Sequence, residues 1–316
     1  MSAGADQGPA ALPTPAANAR ERPIGVFDSG VGGLTVLHEL LVMLPGEDFV
    51  YLGDTARFPY GERESQELER FSIELAEELL GRRAKLLVVA CNAATSAALP
   101  ALRARMLETT LGVDVLGVVT PEALRAVAAT RSGRIGLLAT PTTVASGAYE
   151  RAVGAIDPHV SLEAVACPGL AKTIQEGREF DADTVEIVRA ACGPLRQAEV
   201  DTVILGCTHY PLIGKMLQRM LGPEVTLISS GTALARQVEH ALSTRGLRNP
   251  REGEGEYRFL CTGDVESFRA LGTRFLQMPL GPVEHVPVGE AAEPALPTAA
   301  PAGVGAVPRL ADGAPR

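Results

Sequence analysis

The sequence predicts an α/β fold made of two similar, doubly wound domains with mostly parallel sheets, related by pseudo-twofold symmetry, with the active site in the cleft between them. Short apolar runs alternate with amphipathic segments along most of the chain, which is typical of parallel strands covered by helices on both faces. The same features also occur twice in the same order: IGVFDSG recurs as IGLLATP, and Cys91 corresponds to Cys207. Glu122 corresponds in the same way to Thr232.

The first copy of the pattern contains four apolar runs that we interpret as strands, each followed by a helical segment. The predicted strands cover residues 24–27, 49–52, 85–90 and 113–119. The predicted helices cover residues 34–44 and 65–81 and begin again at residues 91 and 120. A glycine-rich turn over residues 28–33 joins the first strand to its helix.

The second copy begins with the run RIGLLA and has the same alternation. The predicted strands cover residues 134–139, 160–166, 202–205, 225–228 and 257–261. Helices are predicted from residue 140, over residues 172–176 and 182–191, after residue 207, and over residues 229–244 and 265–275.

These elements define the predicted domains. Residues 23–117 together with 229–282 form the first α/β domain, and residues 118–228 form the second. Residues 1–22 and 283–316 consist largely of Ala, Pro and Gly with scattered charges. Such segments bury too little apolar surface to offset their conformational entropy, so we predict that both are disordered.

Composition argues against several classes of function. The net charge is −9 and the basic residues are scattered, which disfavours nucleic acid and anionic membranes as partners. No apolar run is long enough to span a bilayer, and the N-terminus lacks the apolar core of a signal peptide. The five cysteines form no CxxC pair, which is typical of a reducing compartment, and we expect a cytoplasmic protein. The sequence leaves open whether the protein forms a homodimer.

Two cysteines stand at matching strand-to-helix junctions. Cys91 follows the run LLVVA and Cys207 follows VILG, and each is predicted to open a helix. The positive field of a helix N-terminus favours the thiolate, so we expect a lowered pKa for both thiols. A single cysteine of this kind is more often an inert buried residue, and Cys167, Cys192 and Cys261 are interpreted in that way. Ligands bind beyond the carboxyl ends of parallel strands, so the matched pair is expected to face one cleft.

A pair of opposed thiols is suited to inversion of a carbon centre. Inversion through a carbanion takes a proton from one face and returns a proton to the other, which a single fixed base cannot do. Two acid/base groups on opposite faces can do it, one starting as thiolate and the other as thiol. The repeat therefore indicates two-base proton transfer.

Other polar residues near these junctions are candidate site residues, and each also has a purely structural interpretation. Asp28 and Ser29 follow a strand: Ser29 and free backbone N–H groups can bind a carboxylate, and Asp28 can bind a cysteine or an ammonium group, or the segment simply forms a capping turn. His209 can orient the thiol of Cys207 or only begin a helix. No GxGxxG, GK[ST] or metal-ligand spacing is present, which disfavours nucleotide and metal sites, and no lysine is marked as a Schiff base.

At this point the motifs resemble glutamate racemase, in the cofactor-independent aspartate/glutamate racemase superfamily. The stretches that carry the resemblance are IGVFDSGVGGLTVL, YLGDTARFPYG, VVACNAATS, TPTTVASGAYE and LGCTHYPL, and they span residues 24–212. The resemblance implies an isomerase that interconverts L- and D-glutamate for peptidoglycan synthesis without a cofactor or a metal.

The resemblance also implies roles for particular residues. Cys91 and Cys207 correspond to the two proton donors and acceptors, and Asp28 and His209 to the residues that tune them. The implied substrate contacts are Asp28, Ser29, Tyr60, Gly61, Asn92, Ala93, Thr208 and His209.

Two positions depart from the family pattern. Ala93 stands where the family usually has Thr, so a hydroxyl contact to substrate is missing, and either Thr95 or the backbone N–H of Ala93 is expected to replace it. The family's acidic residue near the second cysteine appears as Gln175, with Glu176 beside it, and the sequence leaves open which of the two faces the site.

The sequence leaves three alternative functions open. The first is a racemase for aspartate or a related acid. The second is a hydrolase in which Cys207 is the nucleophile and His209 its base, which leaves Cys91 and the repeat unexplained. The third is a non-catalytic protein that captures a small acid between two lobes.

Overall fold

Ten strands lie in two separate sheets in the computed structural model, which describes residues 19–109 and 112–289. The strands are β1 (Ile24–Asp28), β2 (Phe49–Gly53), β3 (Leu86–Val89), β4 (Asp114–Gly117), β5 (Arg134–Ala139), β6 (Ser161–Ala166), β7 (Thr202–Gly206), β8 (Thr226–Ile228), β9 (Tyr257–Cys261) and β10 (Val283–His285).

The two sheets share one strand order. The first runs β10-β9-β2-β1-β3-β4 and the second runs β6-β5-β7-β8, and all the strand pairs described are parallel. The order 2-1-3-4 of the first sheet thus matches the order 6-5-7-8 of the second. The predicted α/β class with two similar parallel sheets is confirmed, and β3 is the counterpart of β7.

Helices alternate with these strands. The helices are α1 (Leu34–Met43), α2 (Ser65–Gly81), α3 (Asn92–Glu108), α4 (Val119–Ala129), α5 (Pro141–Ala145), α6 (Ala148–Ile156), α7 (Leu170–Gln175), α8 (Ala182–Gln197), α9 (Gly214–Leu221), α10 (Ser230–Thr244) and α11 (Val265–Leu276). Short 3-10 turns cover Thr55–Arg57, Tyr60–Glu62 and Tyr210–Ile213. Helix α4 carries the chain from the first sheet to the second, and α10 carries it back.

Burial explains why these segments adopt their structures. Every residue of β1, β3 and β7 is buried, as expected for central strands covered by helices on both faces. Helix α2 buries Leu68, Phe71, Leu75 and Leu79, whose spacing of three and four places them on one face. None of the helices in the described part of the chain combines the length and the apolar character that a membrane crossing requires.

Two predicted elements differ from the structure. Helix α8 continues through Pro194 to Gln197, beyond the predicted end at residue 191, and its residue Leu195 is fully buried. The segment after Cys207 begins as a 3-10 turn, and the α-helix starts only at Gly214.

The predicted disorder of the tails was wrong for the residues nearest the sheets. The backbone carbonyl of Arg20 accepts a hydrogen bond from Lys85 Nζ at 2.5 Å, because this buried ammonium needs acceptors. Val283–His285 forms β10 by pairing with β9, which gives the backbone polar groups of this segment partners. Residues 1–18 and 290–316 lie outside the described residues. The domain boundaries themselves stay a prediction.

Candidate active site

A small cavity lies at the carboxyl ends of the strands, where the two halves of the chain meet. It is lined by Ser29, Phe58, Pro59, Tyr60, Gly61, Cys91, Asn92 and Ala93 from the first half and by Thr140, Ala171, Gly206, Cys207, Thr208 and His209 from the second. Two counterpart strands, β3 and β7, therefore bring Cys91 and Cys207 to one cavity.

Cys91 caps the N-terminus of α3. Its sulfur accepts a hydrogen bond from the backbone N–H of Ala94 at 3.4 Å and lies 3.7 Å from Ser29 Oγ. Burial nevertheless raises the pKa of Cys91 to about 12, with a further increase from the nearby Asp28 carboxylate. The expected lowering of the pKa by the helix terminus was wrong, because desolvation outweighs it.

Cys207 directly follows β7, and its Sγ lies 3.8 Å from His209 Nδ1. Burial raises the pKa of this thiol as well. A hydrogen bond from the backbone N–H of His209 opposes this increase only in part. Both thiols are therefore neutral, and each needs a neighbouring acceptor to become a thiolate.

Asp28 ends β1 and is fully buried behind Ser29. Its Oδ1 accepts from the Gly30 N–H at 2.8 Å and its Oδ2 from Thr208 Oγ1 at 3.2 Å, a bond that joins the two halves of the chain. Burial raises the pKa of Asp28 to about 6, so the carboxyl is mostly ionised at neutral pH. Ser29 connects it to the sulfur of Cys91.

His209 lies between the rings of Phe58 and Phe275, with centroid distances of 5.5 and 5.2 Å. Burial, reinforced by the positive charge of Arg274, lowers the pKa of His209 to about 3, so the imidazole is neutral. Its Nε2 is 3.0 Å from Gln175 Oε1. Because an amide oxygen only accepts, Nε2 carries the hydrogen and Nδ1 presents its lone pair to Cys207.

The structure also answers which residue of the pair 175–176 faces the site. Gln175 contacts His209, whereas Glu176 forms an ion pair with Arg178 at the surface.

Tyr60 and Gly61 form part of one wall. The Tyr60 hydroxyl donates to Asp54, whose carboxylate also accepts from Arg57 Nε at 2.6 Å and from Thr262 Oγ1 at 2.7 Å. This hydroxyl is thus engaged away from the cavity. Gly61 packs so tightly on Thr140 that a Cβ at this position would lie 2.3 Å from the Thr140 Cβ, which explains why the position has no side chain.

The residues after Cys91 differ in their hydrogen bonds and in whether they line the cavity. Asn92 donates from Nδ2 to the Tyr149 hydroxyl at 2.7 Å and to Glu122 Oε2 at 3.1 Å. Ala93 also lines the cavity. The Thr95 hydroxyl donates to the Val89 carbonyl at 3.1 Å, so its donor is used inside the first half and does not replace the hydroxyl missing at residue 93.

Sequence reasoning missed the polar residues behind the cavity, above all Glu122 and Tyr149. The repeat includes Glu122 but gives it no role in the site. A usable signal was its place on an otherwise apolar face of α4, since Val119, Ala123 and Ala126 are buried beside it. An acidic side chain on such a face needs hydrogen-bond partners.

Metal coordination has no candidate here: in residues 19–109 and 112–289, no three or more His, Cys, Asp or Glu side chains cluster in a way that could hold an ion.

Comparisons with known proteins point to one family. The family model described as Asp/Glu/Hydantoin racemase matches residues 35–238. A glutamate racemase of Bacillus cereus is 40% identical over 84% of this chain and 97% of its own length. Its counterpart from Parafrankia sp. is 43% identical over 86% and 96%.

Solved structures give the same result. Glutamate racemase from Bacillus anthracis has a TM-score of 0.79 at 38% identity, covering 84% of this chain and 98% of that one. The enzyme from Francisella tularensis, solved in complex with D-glutamate, has a TM-score of 0.77 at 30% identity with the same coverage.

Proposed function

The chain belongs to the Asp/Glu/hydantoin racemase family, and we propose that it interconverts L-glutamate and D-glutamate by proton transfer to and from Cys91 and Cys207. The observation that carries this proposal is that these two cysteines, from counterpart strand ends, line one cavity. The names of the relatives and the D-glutamate complex of the Francisella tularensis structure support glutamate as the substrate.

Each cysteine has its own route for a proton. As Cys207 takes the α-proton of one enantiomer, its own thiol proton passes to the neutral Nδ1 of His209. The neutral thiol of Cys91 then delivers its proton to the opposite face of the carbanion. In the reverse direction, Ser29 relays the proton of Cys91 to the ionised Asp28. Both routes use side chains of the protein and require no cofactor.

The substrate contacts come from both walls of the cavity. Ser29, Tyr60, Gly61, Asn92 and Ala93 contact glutamate from the first half, with Asp28 behind them. Thr208 and His209 contact it from the second half. The Tyr60 contact is made through the ring, since the hydroxyl is bound to Asp54. The N–H of Ala93 lies in the first turn of α3, where backbone donors have no partner within the helix, and it binds a substrate carboxylate.

We propose that the D-glutamate formed by this chain is incorporated into peptidoglycan. A cytoplasmic location is consistent with this role, and all five cysteines are free thiols.

The test is incubation of L-glutamate with the protein in heavy water, followed by chiral chromatography and mass spectrometry. We expect D-glutamate to appear with deuterium at its α-carbon. Cys91→Ala and Cys207→Ala should each abolish racemisation, whereas Cys192→Ala, which removes a buried thiol outside the cavity lining, should not.

Racemisation by the double variant Cys91→Ala/Cys207→Ala would refute the two-cysteine mechanism. Aspartate in the same assay tests the nearest alternative substrate, and turnover of aspartate alone would overturn glutamate as the substrate. Binding of glutamate without any exchange of the α-proton would indicate a binding protein.

A further inference from the structure

Four buried polar side chains meet directly behind the wall that carries Cys91. They are Asn92, Glu122, Tyr149 and Ser230, each at most 4% exposed. Only Asn92 lines the cavity. The other three have no place in the proton transfers described above, although buried polar groups are costly unless they are fully hydrogen-bonded.

Glu122 is the centre of this cluster. Its Oε1 accepts a hydrogen bond from Ser230 Oγ, and its Oε2 accepts from the Tyr149 hydroxyl and from Asn92 Nδ2. Asn92 Nδ2 also lies 2.7 Å from the Tyr149 hydroxyl. The nitrogen of the Asn92 amide therefore faces two oxygen partners, and both of its hydrogens are used.

This arrangement fixes the orientation of the amide. Rotating Asn92 by half a turn would bring its oxygen against the oxygen of Glu122, which has no donor for it when ionised. If Glu122 carries its proton on Oε1, the Ser230 hydroxyl can accept it, so Oε2, which faces Asn92, still accepts. Asn92 Oδ1 is thus held on the side away from the cluster.

The oxygen held in this way is itself unpaired. Asn92 Oδ1 is buried and has no hydrogen-bond partner among the described residues. An acceptor of this kind, on a residue that lines the cavity next to Cys91, is suited to a donor group of the substrate.

The cluster also connects the two halves. Glu122 lies on α4 and Ser230 is the first residue of α10, the two helices that carry the chain between the sheets. Asn92 belongs to α3 in the first half and Tyr149 to α6 in the second. Glu122 thus holds the cavity wall in a fixed position relative to both connecting helices, α4 and α10.

We propose that Glu122 is a positioning residue of the site: it holds the Asn92 amide so that Oδ1 faces the bound substrate. This inference rests on the proposed function, because it assigns a role in the binding of glutamate. Burial raises the pKa of Glu122 to about 8, which agrees with a carboxyl group enclosed by protein.

A double-mutant cycle tests it. Glu122→Met removes every acceptor at similar length, and Asn92→Ala removes the amide. We expect Glu122→Met to raise KM about tenfold with little change in kcat, since one ground-state hydrogen bond is lost. Glu122→Met/Asn92→Ala should have the KM of Asn92→Ala alone, because Glu122 acts only through Asn92.

Two further variants separate positioning from stability. Glu122→Gln keeps an oxygen for Asn92 and presents its nitrogen to the Ser230 hydroxyl, so it should keep the wild-type KM. Glu47→Gln alters another buried carboxyl, the partner of Lys85, and should lower the melting temperature without changing KM.

An unchanged KM in Glu122→Met would overturn the proposal. A double variant whose KM rises by the product of the two single effects would overturn it as well. If Glu122→Met does not fold, Tyr149→Phe removes one partner of Asn92 and keeps the ring. It should raise KM in the wild-type background and have no effect in the Asn92→Ala background. Absence of racemisation by the wild-type protein would refute the proposed function first, so the two failures are distinguishable.

Discussion

The Nε2 atom of His209 lies 3.0 Å from the Oε1 atom of Gln175. Gln175 is the last residue of α7, and its amide is uncharged, so it orients the imidazole without stabilising a positive charge on it. Burial can then keep the pKa of His209 near 3 and leave Nδ1 as an acceptor for the proton of Cys207. The amide thus selects the tautomer of this histidine, and burial keeps the ring neutral.

Gln175→Glu should raise the pKa of His209, because a carboxylate beside the ring favours the imidazolium. The histidine then becomes protonated at a higher pH than in the wild type, and at that pH Nδ1 no longer offers a lone pair to Cys207. An NMR titration of the His209 ring measures the shift directly. Glu176→Gln, at the surface, is the matched control, and an unchanged titration in Gln175→Glu would contradict the argument.

Asp28→Asn should fold, because the amide oxygen still accepts from the Gly30 N–H and the Thr208 hydroxyl can accept from the amide nitrogen. The variant lacks the ionised acceptor behind Ser29, so kcat should fall about 10²- to 10⁴-fold. Burial raises the pKa of Asp28 to about 6, so wild-type activity should decline as the pH falls through this value. Asp28→Asn should lose that decline, and a pH profile of kcat/KM for both proteins decides the matter.

The sequence could predict those features of the fold and of the site whose physical cause lies in neighbouring residues. The strands that precede Cys91 and Cys207 are visible in the sequence as short apolar runs. The parallel sheets and the shared cleft were therefore predictable. The pKa values of the two thiols were not, because they depend on how deeply the folded chain buries the sulfurs. The contact of Gln175 with His209 also depends on the packing of two separate helical segments and has no signature in local sequence.

Glu122→Gln should change how stability depends on pH. The pKa of Glu122 is raised from 4.5 to about 8 by burial, so the folded state binds this proton more tightly than the unfolded state does. Ionisation of Glu122 therefore lowers the free energy of unfolding as the pH rises from about 4.5 to about 8. Gln does not ionise, so the variant should gain a few kcal/mol relative to the wild type across this range.

Urea unfolding of both proteins at pH 5 and pH 8.5 measures that difference. Because the comparison is between two chains that differ at one residue, titration of Asp28 contributes equally to both and cancels. A constant difference in the free energy of unfolding at the two pH values would mean that the carboxyl of Glu122 has no raised pKa in the folded state.

Gly32→Ala should damage the site while the fold persists. A Cβ at Gly32 would lie 2.4 Å from Thr208 Oγ1 and 2.5 Å from His209 Cε1, closer than real Cβ contacts allow. His209 cannot move aside, because Phe58 and Phe275 pack against its ring. A displacement approaching 1 Å at the acid/base group costs about 10²-fold in rate, so kcat/KM should fall by about that factor.

Gly154→Ala provides the matched control for this substitution. Gly154 lies inside α6, and a Cβ there meets no atom within 4 Å beyond its chain neighbours and the adjacent helix backbone. Alanine in a helix interior is more stable than glycine by about 0.5–1 kcal/mol, so this variant should melt at a higher temperature with unchanged activity. If Gly32→Ala kept the wild-type kcat/KM, Thr208 and His209 would not need their observed positions, and the assigned role of His209 as the acceptor for Cys207 would have to be abandoned.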